Sequence, residues 1–333
     1  MTFPSMKRRP RAVPLTASCL AAAVVLSGCT QGRSEGTAGS GDEKRTVKSA
    51  KGDIQVPKEP KRIVVLTGGL AGYAFRLEAP VAATDTRVLG VTDLKGEFPP
   101  SWADPATKQG TKALPGGEEL SIEAVAAAKP DLIIGGGQGI SAVQADKRYD
   151  DLKAIAPTVL VPTSVTDWKE QLRMVADAAG RTKKADELIE AYTKRVAEVK
   201  GKIKVPEGKT AVMLSLQTKE PSLVPSTAAL PSLLKEVGFD MDDVHEKADK
   251  PKLYGSGDSF NVSKELLPKV ADAPNTFVIP VGGPKLAELQ ADPVYSQLPS
   301  FTGKKVNEFP ATSYRPDYDS ALQTLDLLEK TFS

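Results

Sequence analysis

Between Pro162 and Lys209 the chain carries no run that reads as a strand, although strands and helices alternate on both sides of that interval. Residues 182–201 fill much of the gap with one pattern, in which Ala185, Leu188, Ile189, Tyr192, Val196 and Val199 recur at three- and four-residue steps among charged side chains. This spacing lays a single apolar stripe along a helix of about five turns, roughly 30 Å long. Thr182 is placed to cap its start and Gly201 its end. A second helical pattern at 167–179 precedes it directly, and two helices in succession do not fit the short crossover of a parallel α/β unit. The pattern therefore predicts a strut between two lobes; the competing reading is one more surface crossover helix.

The flanking segments are α/β. Residues 62–66 (RIVVL) form a continuous β-branched run of the kind buried on both faces of a sheet, and 88–91, 132–134 and 158–161 read as further strands. Helices are expected at 70–77, 120–128, 150–155 and 167–179, the last with Asp167 and Glu170 spaced as a capping box. A second lobe begins at Thr210, with strands at 211–216, 276–281 and 305–309 and helices at 230–237, 262–270 and 317–332. The predicted fold is α/β, with two parallel-sheet lobes joined by a single long bridging helix and a ligand cleft between them.

The N-terminus sets the compartment. Lys7, Arg8, Arg9 and Arg11 precede a small apolar run at 17–26, which ends in Leu26-Ser27-Gly28-Cys29. Basic, then apolar, then small is the order of a secretory signal peptide, and the run is shorter than the roughly 20 apolar residues needed to span a bilayer. The last four residues resemble the bacterial lipobox, which implies that Cys29 is diacylated and becomes the new N-terminus. Loss of residues 1–28 removes Cys19, four basic residues and no acidic one, taking the formal net charge from +2 to −2. A lone mature cysteine forms no internal disulfide, and no basic field for nucleic acid remains. Residues 30–46 are rich in Gly, Ser, Thr and charge and cannot bury a core, so they read as a tether. The expected domains are thus 1–28 signal peptide, 29–46 tether, 47–181 N-terminal lobe, 182–202 bridging helix and 203–333 C-terminal lobe.

Much enzyme and cofactor chemistry is excluded by inventory. His245 is the single histidine, so neither a multi-His zinc site nor haem held by two histidines can be assembled. A Ser-His-Asp triad would depend wholly on His245, which lies in a charged stretch and reads as a solvated loop residue, and no G-x-S-x-G elbow is present. The glycines at 135–139 follow a strand but lack both the G-x-G-x-x-G spacing and the G-K-[ST] ending of phosphate loops. They are expected to let the backbone turn closely at the mouth of a cleft.

In parallel α/β sheets ligands sit beyond the carboxyl ends of the strands. Here those ends carry Tyr73, Trp102, Gln138, Arg148 and Tyr149 in the first lobe, and Gln217, Tyr254, Phe260, Tyr314 and Arg315 in the second. Aromatic residues make up only 5% of the chain, so their gathering on these loops points to a cleft with aromatic walls and a few guanidinium donors. Such a wall suits a bulky, partly apolar ligand bearing acceptor oxygens. For each aromatic taken singly, packing beneath its loop is the competing reading.

Three stretches resemble a known family, the solute-binding lipoproteins of ABC importers that carry ferric siderophores, haem or cobalamin. They are Ser121-Ile122-Glu123 with the following AAAKPDLII at 126–134, the segment 149–159 ending in Ile155-Ala156-Pro157-Thr158-Val159, and Val262-Ser263-Lys264-Glu265-Leu266. The similarity spans roughly residues 53–333, and the first helix departs from the family's leucine-rich pattern with Gly-Gly-Leu-Ala-Gly-Tyr. The resemblance implies two lobes bridged by one long helix, with Glu123 and Glu265 docking into arginine pockets on a dimeric permease. It also implies a monomer on the extracytoplasmic face of the cell membrane that captures a ferric siderophore. Iron would be held only by the siderophore's oxygens, without a resident cofactor or metal site. Cobalamin or haem binding is the alternative within the family; a lipid-anchored surface hydrolase or an adhesion lipoprotein are alternatives outside it.

Overall fold

The computed structural model describes residues 43–333 apart from positions 93, 219, 255 and 256. The expected signal peptide, the expected lipidation site Cys29 and most of the expected tether lie outside the described residues.

The first described element was not anticipated. Strands β1 (Lys44–Ser49) and β2 (Gly52–Pro57) form an antiparallel hairpin, so the tether ends by residue 43 and not at 46. Val47 and Val56 are buried in the main core, while Arg45 donates to the Ala178 carbonyl at 2.8 Å and pins the hairpin to the lobe. The remaining side chains are mostly charged or polar, which is why the segment reads as solvated.

The N-terminal sheet is fully parallel. It comprises β3 (Ile63–Val65), β4 (Val81–Thr84), β5 (Lys112–Ala113), β6 (Leu132–Gly136) and β7 (Thr158–Val161), in the order β5-β4-β3-β6-β7. Side chains alternate across it: Ile63 and Val65 enter the main core, and Val64 enters a second core on the other face. The strand expected at 88–91 is a loop. Gly90 adopts φ +76° beside Ala311, which breaks the extended run, and the strand of that unit is the alanine-rich β4 instead. A helix at Ile140–Lys147 was also unforeseen, because it buries Ser141, Ala142, Gln144 and Ala145 while leaving Ile140 and Val143 exposed.

The C-terminal sheet contains β8 (Thr210–Leu216), β9 (Ser222–Leu223), β10 (Phe260–Asn261), β11 (Asn275–Val281) and β12 (Val306–Glu308), in the order β10-β9-β8-β11-β12. The strands β8, β11 and β12 run parallel, and β9 and β10 add an antiparallel edge. The helix expected at 262–270 shrinks to one turn, Leu267–Val270. Pro268 has no N–H to donate and fits only a first helical turn, so the helix cannot start earlier.

The bridging helix runs from Thr182 to Lys202. Ala185, Tyr192 and Val199 are buried, and Leu188, Ile189 and Val196 pack against the same core. The caps differ from expectation: Arg181 is the N-cap without a side-chain bond, Gly201 lies inside the helix, and Ile203 ends it in extended backbone. No strand lies between β7 and β8 among the described residues, so the strut carries the connection between lobes.

Three elements meet at Glu236. Lys169, from the helix Trp168–Ala179, pairs with it, and Tyr192 of the bridging helix donates its hydroxyl to it at 2.8 Å. Trp168 packs edge-on against Tyr192 with ring centroids 4.8 Å apart. Burial, with the nearby Glu236 carboxylate, pushes the Tyr192 hydroxyl well above the usual tyrosine range. This node joins both lobes to the strut.

Candidate functional site

The cleft opens where the carboxyl ends of β3, β4 and β6 face the loop that precedes the C-terminal helix Tyr318–Phe332. Its cavity volume is about 290 Å³, at the lower end of the range for small-molecule clefts, and it opens outward to solvent. The glycines build the near wall. Gly136, Gly137 and Gly139 all have positive φ, and Gly137 N donates to the Val161 carbonyl at 2.8 Å, so the loop turns sharply into the cleft as the sequence predicts. Thr67, the N-cap of the first helix (Gly68–Arg76), gives up its capping role and donates its hydroxyl to the Gly136 carbonyl at 2.9 Å.

Two arginines face the cavity, one from each lobe. Arg87 is clamped by the buried carboxylate of Asp85, with Nε 2.9 Å from Oδ2, and also donates to Gln144 Oε1 at 2.8 Å and to the Gly117 carbonyl at 3.1 Å. Arg315 makes a two-pronged pair with buried Asp258, Nε to Oδ2 at 2.5 Å and Nη2 to Oδ1 at 2.8 Å. Burial works against the Arg315 charge, but the hydrogen bonds and the negative charge of Asp258 outweigh it and raise its pKa. The Arg315 guanidinium also lies over the Tyr314 ring at 5.1 Å. Gln138 Nε2 reaches from the other lobe to Asp258 Oδ2 at 3.2 Å.

The floor is polar and partly desolvated. Asp317 caps the C-terminal helix by accepting from Ser320 N at 2.8 Å and Ser320 Oγ at 2.7 Å. Burial raises its pKa despite those bonds. Gly72 is what admits it: a Cβ there would sit 2.6 Å from Asp317 Oδ2, so the glycine-rich first helix makes room for the opposite lobe. Tyr73, on the same helix, lines the cleft floor, its hydroxyl 3.5 Å from Gln171 Oε1 and pushed well up by burial. Nearby, Arg76 holds Asp319 through Nε–Oδ2 at 2.8 Å, bonding the first helix to the C-terminal helix.

Of the predicted ligand residues, Tyr73 and Arg315 line the cleft. Tyr314 stands behind Arg315, buried, with its hydroxyl donating to the Asp258 carbonyl at 3.2 Å. Trp102 is a core side chain, 1% exposed and stacked on Phe75 at 5.1 Å, and Phe260 is 0% exposed in the second lobe's core. Trp102 opens the helix Ala103–Gln109 and packs in the main core, and Phe260 belongs to strand β10, which turns its side chain into the second lobe's core. Arg148 turns outward to pair with Asp151 at 2.6 Å, and Tyr149 lies between Lys51 and Lys153, with both ammonium groups within 6 Å of its ring centroid; neither reaches the cleft. Gln217 is exposed beside Gly282, and Tyr254 is exposed on the loop that carries Asp258; neither lines the cavity. His245 is not a solvated loop residue: it belongs to the short helix Val244–Lys247, bonds the Pro251 carbonyl at 2.9 Å and packs against Phe260.

Glu123 and Glu265 are exposed, one on each lobe. Glu123 sits in the first turn of the helix Ile122–Ala127, which Ser121 caps. Glu265 occupies the turn before Leu267, where bonds from its own backbone N–H and from Ser263 lower its pKa. Arg87, Asp85, Asp258 and Asp317 were missed from sequence. Arg87 borders the misassigned strand at 88–91, and the presence of an Asp two residues before it was the one available hint.

Residues 63–311 match the model of the periplasmic binding protein family, and the chain belongs to that family. Among its relatives, the ferric enterobactin-binding periplasmic protein FepB of Escherichia coli O6:H1 is 29% identical over 299 residues, covering 87% of this chain and 92% of that protein. The probable siderophore-binding lipoprotein YfiY of Bacillus subtilis is 35% identical over 225 residues, covering 66% of this chain and 65% of YfiY. In fold, the chain is similar to holo-ViuP, with a TM-score of 0.74 at 24% identity, covering 87% of this chain and 95% of that one.

Proposed function

We propose that this protein is an extracytoplasmic receptor, anchored by lipid on Cys29, that captures a ferric siderophore and delivers it to an ABC permease for iron uptake. The carrying observation is the interlobe cleft itself, which presents Arg87 and Arg315 from opposite lobes together with Tyr73 and an apolar rim. Relatives named for ferric enterobactin and siderophore binding support the reading. The family is one of substrate-binding transport proteins, which supports a carrier role for this chain. Iron stays coordinated by the siderophore's own oxygens, while the protein contacts the chelate through Arg87, Arg315 and Tyr73. Relatives named as lipoproteins support attachment through the lipid. Glu123 and Glu265, on separate lobes, dock a monomer onto a permease dimer, where paired carboxylates fix orientation and steer approach.

The test is a titration of the purified protein with ferric siderophores, their iron-free forms, haem and cobalamin, followed by tryptophan fluorescence. Saturable binding of a ferric chelate, weaker for the iron-free chelator, is the expected result. Binding of haem or cobalamin alone would replace the reading with another cargo.

A further inference from the structure

The cleft offers hydrogen-bond donors without a positive field. Among the described residues its lining cations are Arg87 and Arg315, and each is already matched by a buried carboxylate in a two-pronged pair. Asp85 and Asp258 have side chains only 5% and 3% exposed, so neither can swing into solvent to release its arginine. A third carboxyl, Asp317, faces the cavity with no arginine bonded to it. Two guanidiniums against three carboxyls leave the wall negative, or neutral when Asp317 holds a proton.

The rest of the lining is apolar or neutral. Leu70, Val88 and Pro316 face the cavity, and Leu89 and Ile140 stand at its edge 38% and 61% exposed. The helix that carries Ile140 also leaves Val143, one turn on, 45% exposed. Arg315 spends Nε and Nη2 on Asp258 and keeps Nη1 to donate to a ligand oxygen.

Ferric chelates divide by charge. Three hydroxamates, each a monoanion, neutralise iron(III), and a free amine on the chelator adds a positive charge. Three catecholates, each a dianion, leave the complex a trianion. Inside a cleft of reduced dielectric, a trianion facing an uncompensated carboxylate is strongly disfavoured, while a neutral chelate pays no such cost.

We propose that, given the siderophore reading on which this rests, the cleft selects ferric chelates of zero or single positive charge, the trishydroxamate class, over triply anionic tris-catecholates. The charge-balanced pairs Arg87–Asp85 and Arg315–Asp258, together with Asp317, set that selection, and Leu89 and Ile140 receive the chelate's hydrocarbon backbone.

The test compares dissociation constants of the full mature protein for ferrichrome (neutral), ferrioxamine B (cationic) and ferric enterobactin (trianionic). The first two should bind about a hundredfold tighter or more, and raising salt from about 0.05 to 0.5 M should tighten the trianion while leaving ferrichrome unchanged. Asp258→Asn, which leaves Arg315 uncompensated, should narrow the preference at least about tenfold, and Asp85→Asn should do the same at the other arginine if the first variant folds poorly. Ferric enterobactin binding as tightly as the hydroxamates, or a preference unmoved in folded variants, would overturn the proposal. If no ferric chelate bound at all, the siderophore reading would fall and take this inference with it.

Discussion

Gln138 Nε2 donates to Asp258 Oδ2 at 3.2 Å, tying the glycine loop of one lobe to the carboxylate that holds Arg315 in the other. The bond bridges the two lobes at the cleft, and the Lys169–Glu236–Tyr192 node ties both lobes to the strut. With a regular helix and no proline between Thr182 and Lys202, the lobes have little freedom to rock. Gln138→Ala should speed ligand release several-fold in stopped-flow experiments while lowering stability by no more than about 1 kcal/mol. Small-angle scattering should show little change in radius of gyration on ligand binding; a large closure would count against the strut.

Arg315 and Asp258 form a buried pair, and removing one partner strands the other. Arg315→Ala should cost about 3 kcal/mol of unfolding free energy, read from urea titration, in addition to any loss of ligand binding. Arg315→Lys should recover little, since a single ammonium cannot reproduce the two parallel bonds to Asp258.

Asp317 gives a pH signature of defined sign. Its folded-state pKa is raised above the ordinary aspartate value of 3.8, so the folded protein holds a proton that the unfolded chain releases earlier. Stability from this group is therefore present below that value and is lost as pH rises through the folded pKa. Asp317→Asn keeps an N-cap acceptor and removes the buried charge. The variant should be at least as stable as wild type at neutral pH, and any advantage should vanish in acid; a thermal-melting series across pH measures both.

Glu123 and Glu265 are solvent-exposed and remote from the cleft lining, so charge reversal should leave ligand affinity unchanged. Glu123→Arg together with Glu265→Arg should abolish iron uptake in cells whose permease depends on this protein. Loss of chelate binding in the purified variant would instead place these residues in folding or recognition.

Sequence pattern was most informative where burial is two-sided. The runs at β3, β6, β7, β8 and β11, and the stripe through Ala185, Tyr192 and Val199, carry their burial in unbroken or strictly periodic apolar residues. The hairpin at 44–57 hides two buried valines among charges, β4 is made of small residues, and β9 and β10 are two residues each, too short to give a period. Within the site, Tyr73 and Arg315 were legible because strand ends locate a cleft. The role of Asp258 was not, because the Arg315–Asp258 pair joins residues 57 positions apart and has no local spacing, and Asp85 was hidden because its partner Arg87 borders a stretch that reads as a strand. Trp102 and Phe260 misled for a related reason: an aromatic beside a strand end reads the same whether it faces a ligand or, as both do here, the core.

The central claim is that the interlobe cleft holds one ferric chelate per chain. Equilibrium dialysis of the protein against a chelate carrying radioactive iron tests it directly, with unlabelled chelator and unchelated iron as competitors. The account predicts saturable retention at one iron per chain, dependent on the chelator and reduced at least about tenfold by Arg315→Ala. Retention of iron without a chelator, or saturable binding untouched by any change to the cleft lining, would contradict it.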